Sequence, residues 1–132
     1  MKTQRAKRSA DELLQELAIL MHDKKYDSVS DLLETFPELI NNLTPRCEVP
    51  LVMAIKCWDP KLVGICMKHG ANPTEKHHCS KDKKDKIPIL ITFEQFCKRI
   101  HKLKTRQAWD RHFRIYSQMI LEMTEVAPFS KG

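Results

Sequence analysis

Residues 50–73, PLVMAIKCWDPKLVGICMKHGANP, place two short apolar runs on either side of Trp58-Asp59-Pro60 and stop the second at Gly70. Proline suits the first turn of a helix, because its missing N–H would be unpaired there anyway. Pro50 can therefore open a helix carrying Leu51, Met53, Ala54 and Ile55. Asp59 has the side chain of an N-cap, and Pro60 fits the first helical position behind it. Leu62, Val63, Ile65, Cys66 and Met67 then give a second helix an apolar stripe at i, i+3, i+4 spacing. Gly70 is the residue expected just past a helix end, and Pro73 stands where a helix cannot continue. The stretch predicts two helices of about two to three turns each, joined by a tight turn.

Helices this short are marginal alone in water. They need neighbours to cover their apolar faces, which is the logic of stacked repeats. At this point the stretch resembles an ankyrin repeat. The family's T-P-L-H-x-A signature stands here as Val49-Pro50-Leu51-Val52-Met53-Ala54, and its G-A-D-x-N ending as Gly70-Ala71-Asn72-Pro73-Thr74. Its G-H turn is replaced by Trp58-Asp59, and its bracing Thr and His are absent.

Neighbouring repeats are expected about 33 residues to either side. Pro88 follows Pro50 by 38 residues, with the extra length in TEKHHCSKDKKDK, where ankyrin proteins project a loop. Ile89, Leu90, Phe93, Phe96, Cys97, Ile100 and Leu103 form one stripe beyond it. After the turn LKTR, a second stripe holds Trp109, His112, Phe113, Tyr116, Met119, Ile120 and Met123. Upstream, Ser9 and Glu12 make the S-x-x-E capping box of a helix with Leu13, Leu14, Leu17, Leu20 and Met21 on one side. Asp27 is the expected N-cap of the next helix, with Val29, Leu32, Leu33 and Phe36 on its core side and a Pro37-Glu38-Leu39-Ile40-Asn41 ending.

Helices are predicted near 9–22, 28–36, 50–57, 60–68, 88–103 and 106–124. The expected fold class is all-α: a short ankyrin-like stack of three helix-turn-helix repeats, with a long-helix C-terminal cap. The units would span 9–44, 45–82 and 83–125, flanked by a basic disordered tail at 1–8 and a C-terminal tail at 126–132.

Composition narrows the function. Hydrophobic residues at 42% allow a core, while charged residues at 30% leave no apolar run of about 18 residues that could span a membrane. The start MKTQRAKRSADELL lacks the apolar segment of a secretory signal. Five irregularly spaced cysteines favour reduced thiols over a disulfide framework, hence a cytoplasmic or nuclear setting. Zinc would need close ligand pairs. Cys66 with His69, His77-His78-Cys79, and Cys97 with His101 supply no C-x2-C pair, and Cys66 and Cys97 are placed on core stripes. No nucleophile elbow or Gly-rich phosphate loop is present. The expectation is therefore a protein without enzymatic activity, cofactor or metal, with a small zinc protein as the second alternative.

Charge carries more information. The net charge is +6, and from 97 to 114 seven cations (Lys98, Arg99, Lys102, Lys104, Arg106, Arg111, Arg114) face one carboxylate, Asp110. Such a patch steers acidic or phosphorylated partners, or nucleic acid, which makes nucleic-acid association the first alternative. Trp109 and Phe113 are expected to face the core, which weakens a base-stacking reading.

The ankyrin resemblance implies a monomeric module that binds a partner protein through a concave surface of loop tips and first helices. Its contact residues would be His22 and Asp23 in the first unit, and Pro45, Arg46, Glu48, Lys56 and Cys57 in the second. In the third they would be Lys83, Lys84, Lys86, Glu94 and Gln95. Trp58, at the turn, either projects as a binding anchor or packs against Tyr26 or the next repeat.

Overall fold

The structure, a computed structural model, describes residues 9–44, 48–76 and 87–129, of which 125–129 by backbone alone. The chain forms α1 (Ala10–His22), α2 (Tyr26–Thr35), α3 (Pro50–Lys56), α4 (Pro60–Lys68), α5 (Pro88–Ile100) and α6 (Arg106–Phe129). A single 3-10 turn, Pro37–Asn41, follows α2, and no strand occurs among the described residues.

The helix ends follow local chemistry. The Ser9 hydroxyl accepts from Glu12 N–H at 3.2 Å while Glu12 Oε1 accepts from Ser9 N–H at 3.1 Å, closing a capping box at α1. Pro50, Pro60 and Pro88 each open a helix. Asp59 Oδ1 accepts from Lys61 N–H at 3.0 Å and so caps α4. That helix ends on Gly70 at φ +94°, where a side chain would be strained. Gly70 N–H reaches the Met67 carbonyl and Ala71 N–H the Cys66 carbonyl, both at 3.1 Å, the paired bonds of a Schellman stop. At α6, the Thr105 hydroxyl accepts from Ala108 N–H at 3.1 Å.

The helices pack as three pairs, α1 with α2, α3 with α4, and α5 with α6. The pairs also meet in order: α1, α3 and α5 touch along one row, and α2, α4 and α6 along another. One continuous core runs through all three pairs, from Leu14, Leu17 and Met21 through Val29, Leu33, Leu51, Ile55 and Leu62 to Met119 and Met123. Gly64 brings α4 close to α6, since a Cβ there would lie 2.8 Å from Glu122 Oε1.

Four expectations change. First, α2 begins at Tyr26 with Lys25 as its cap residue, which makes no side-chain cap bond. Asp27 instead lies in the first turn, where its carboxylate complements the helix dipole. Second, α5 stops at Ile100, leaving Leu103 outside it, and α6 continues to Phe129 into the segment expected to be tail. Third, Leu90, Phe93 and Cys97 are exposed on α5 rather than in the core. Fourth, Trp109 and Phe113 are exposed on α6. The apolar stripes of the third pair are wider than the one neighbouring pair can cover. Residues 1–8, 77–86 and 130–132 lie outside the described residues, and with them the N-terminal tail and the His77-His78-Cys79 cluster.

Leu62 is fully buried in the centre of the stack. Leu62→Ala should therefore cost about 2–5 kcal/mol, read as a shift of the urea unfolding midpoint. Leu90→Ala, on an exposed position of the same residue type, should change stability by no more than about 0.5 kcal/mol.

Candidate interaction site on the first-helix row

The turn between α3 and α4 gathers contacts from all three helical pairs. Trp58 sits at φ +58°, the left-handed conformation that glycine adopts freely. Lys24, in the corresponding turn between α1 and α2, also has φ +58°. Trp58 resolves to the packed alternative: it is buried, with the Arg99 guanidinium 4.8 Å from its ring centroid and the His112 ring 6.4 Å away. It packs against the third pair, through α5 and α6, and leaves the set of exposed contact residues. Arg99 also donates from Nη2 to the Lys56 carbonyl at 3.1 Å, tying α5 to the end of α3.

Asp59 is buried beside it and gathers three donors. Tyr26 Oη donates to Oδ2 at 2.6 Å, Lys24 Nζ donates to the same oxygen at 3.0 Å, and Lys61 N–H caps Oδ1. Burial pushes this carboxyl up, but the bonds from Tyr26, Lys24 and Lys61 outweigh it and hold it below the ordinary 3.8. The Lys24 ammonium is correspondingly pushed up by its bond to Asp59. Lys61 Nζ stands 4.8 Å from the Tyr26 ring centroid.

A groove of about 380 Å³ opens on the first-helix row, between α1 and α3. Asp11, Leu14, Gln15 and Ala18 line it from α1, Met53 from α3, and Thr44 and Glu48 from the connection before α3. Asp11, Leu14, Gln15 and Ala18 fall at i, i+3, i+4 and i+7, so one helix face supplies that wall. This spacing is legible in the sequence, but the groove also needs α3 opposite, which the spacing alone does not place. Glu48 forms an ion pair with Lys56 at the groove's edge, its carboxylate largely buried and the ammonium half-exposed. Thr44 N–H bonds to the Glu48 carbonyl and the Thr44 hydroxyl to Glu48 N–H, which holds these two residues together.

Of the residues expected to contact a partner, Glu48 and Lys56 thus join at the groove, and Cys57 is half-buried at the turn below. Burial pushes the Cys57 thiol up. His22 and Asp23 are exposed at the end of α1, with Nδ1 and Oδ1 3.5 Å apart. Glu94 is exposed and Gln95 half-buried on α5. Pro45, Arg46, Lys83, Lys84 and Lys86 lie outside the described residues.

Cys66 is completely buried, and burial pushes its thiol up to about 12, far from a usable thiolate. His69 Nε2 lies 3.1 Å from Ser30 Oγ, a link between α2 and the end of α4. Among the described residues, no group of three or more His, Cys, Asp or Glu side chains could hold a metal ion, and no helix is long and apolar enough to cross a membrane. Comparison with known proteins gives no matching family model, no matching curated protein and no matching solved structure.

The Asp59 cluster makes stability depend on pH with a definite sign. A carboxyl held below its unfolded value stabilises the fold above that value and loses the contribution as pH falls through the folded pKa. Asp59→Asn should cost about 1–3 kcal/mol at pH 7. The gap between variant and wild type should narrow as pH drops below 3.8, measured by urea unfolding across an acid series. A gap constant down to pH 2 would show that the ionised carboxylate is not the source.

Proposed function

We propose that this chain is a short ankyrin-type repeat module that binds a partner protein through its first-helix row and acts without enzymatic chemistry. The observation that carries this reading is the order of helix contacts. Three short-turn pairs stack with α1, α3 and α5 in one row and α2, α4 and α6 in the other. The residues of the family signature support it, since Pro50 opens α3, Trp58 takes the conformation of the glycine it replaces, and Gly70 closes α4.

The row of first helices offers what a binding surface needs: a partly apolar groove with polar edges at Asp11, Gln15 and Glu48. Lys56 and Glu94 extend that surface toward the third pair with exposed charge. Rim charges of this kind act mainly on association rate and choice of partner. The free thiols Cys57, Cys66 and Cys97 fit a reducing compartment, cytoplasmic or nuclear.

The test is an affinity capture from cell extract with nuclease present, followed by mass spectrometry and kinetic measurement on the captured protein. Ala18→Arg, which puts a long charged chain into the groove, should weaken that complex by about tenfold or more. The pair Lys61→Glu and Lys68→Glu, on the second-helix row, should leave it within about twofold. Capture abolished by nuclease, or lost only with the Lys61 and Lys68 changes, would overturn the reading.

A further inference from the structure

The far end of the stack carries an apolar face whose counterparts elsewhere in the chain are covered. Aligning the opening prolines of α3 and α5 sets Leu90 and Phe93 opposite Val52 and Ile55. Aligning the N-caps Asp59 and Thr105 sets Trp109 and Phe113 opposite Val63 and Met67. All four residues of the central pair are buried. In the third pair, Leu90 is 57% exposed, Phe93 53%, Phe113 43% and Trp109 39%. The same positions that pack the second pair into the stack stand open in the last one.

We propose that this outer face of α5 and α6 docks an acidic amphipathic helix of a partner protein. The aromatic residues form one connected surface, because Phe93 reaches Tyr116 at 6.4 Å, and Phe113 lies 6.4 Å from Tyr116 and 5.3 Å from Trp109. Their stripes have the spacing onto which another helix packs. Lys98, Lys102, Lys104, Arg106, Arg111 and Arg114 are exposed on these two helices and the turn joining them, against the two exposed carboxylates Glu94 and Asp110. Arg106 lies two turns from Phe113, on the same side of α6. The charge therefore selects a helix with carboxylates beside its apolar stripe.

A second copy of this chain would bring the same cations face to face across a two-fold contact. Single-stranded nucleic acid would match the charge but not the apolar surface. Trp109 and Phe113 already stack on each other at 10° between planes, as do Phe96 and Tyr116 at 4.6 Å and 16°, so each ring has one face taken. Leu90 offers a base nothing to stack on. The docking face is distinct from the groove between α1 and α3, so either surface can fail its test without the other.

The probe is a fluorescein-labelled synthetic peptide of about 18 residues with leucines at i, i+3, i+4 and i+7 and glutamates flanking them. Titrated with the full chain and followed by anisotropy, it should bind saturably. A shuffled peptide of the same composition, and one with lysine for glutamate, should bind at least about tenfold more weakly. Phe93→Ser combined with Phe113→Ser should reduce peptide binding about tenfold or more while leaving the circular dichroism spectrum unchanged, since both residues are exposed. Absence of saturable binding, equal binding of the shuffled peptide, or indifference to the double substitution would overturn the proposal. So would tighter binding of a single-stranded oligonucleotide, or a wild-type dimer in sedimentation that the double substitution dissolves.

Discussion

All three helical pairs meet at one dipeptide, Trp58-Asp59. Asp59 accepts from Lys24 and Tyr26 of the first pair while capping α4 in the second. Trp58 lies under Arg99 and beside His112 of the third. The two neighbouring side chains thus contact different pairs from one left-handed turn. A glycine there would relax the backbone but remove the indole that Arg99 covers. The chain has placed a large ring where the backbone prefers none, and the ring's contacts across the stack offset that strain. A single turn thus serves both interfaces of the central helical pair.

Much of this was readable from local chemistry. Pro50, Asp59-Pro60, Gly70 and the Ser9–Glu12 box each name a helix end through a group that must be satisfied or cannot be bonded, so spacing alone locates them. The start of α2 was not readable in this way. Asp27 has the better capping side chain, yet Tyr26 opens the helix and its hydroxyl bonds to Asp59, 33 residues away. Glu48 and Lys56 are both legible as candidate contacts, but their ion pair is not, because Glu48 stands before α3 and Lys56 at its far end, eight residues apart. Periodicity showed which faces of α5 and α6 are apolar. It could not show whether anything covers them, and so Leu90, Phe93, Trp109 and Phe113 were misplaced in the core.

The two candidate surfaces differ in what they ask of a partner. The groove between α1 and α3 is edged by Asp11 and Glu48, with Glu48 already neutralised by Lys56, so shape and apolar contact matter more there than charge. On α5, α6 and the turn between them, exposed cations outnumber exposed carboxylates and accompany exposed rings, so charge would act on approach and the rings on retention. The net charge of +6 for the whole chain is matched by the excess of cations between 97 and 114 alone. Any steering by this segment would act at the end of the stack formed by α5 and α6.

That imbalance bears on the expected role of the third pair as a cap. Terminal repeats keep a stack soluble by turning a polar face outward. The first pair is mostly polar where it is exposed: Ile19 is the one large hydrophobic residue that it exposes widely among the described residues, beside Glu12 and His22. In the third pair α6, at 24 residues, has the length expected of a cap, while α5 at 13 only equals α1, and the pair turns leucine and aromatic rings outward. Length and capping are separate properties here. Length lets α6 lie along α4 and set Met119 and Met123 into the core, and that need is met by one face of the helix. The face turned away from the stack has the side chains of an interior repeat and the charge of a surface, a combination that suits a position covered only while a partner is present.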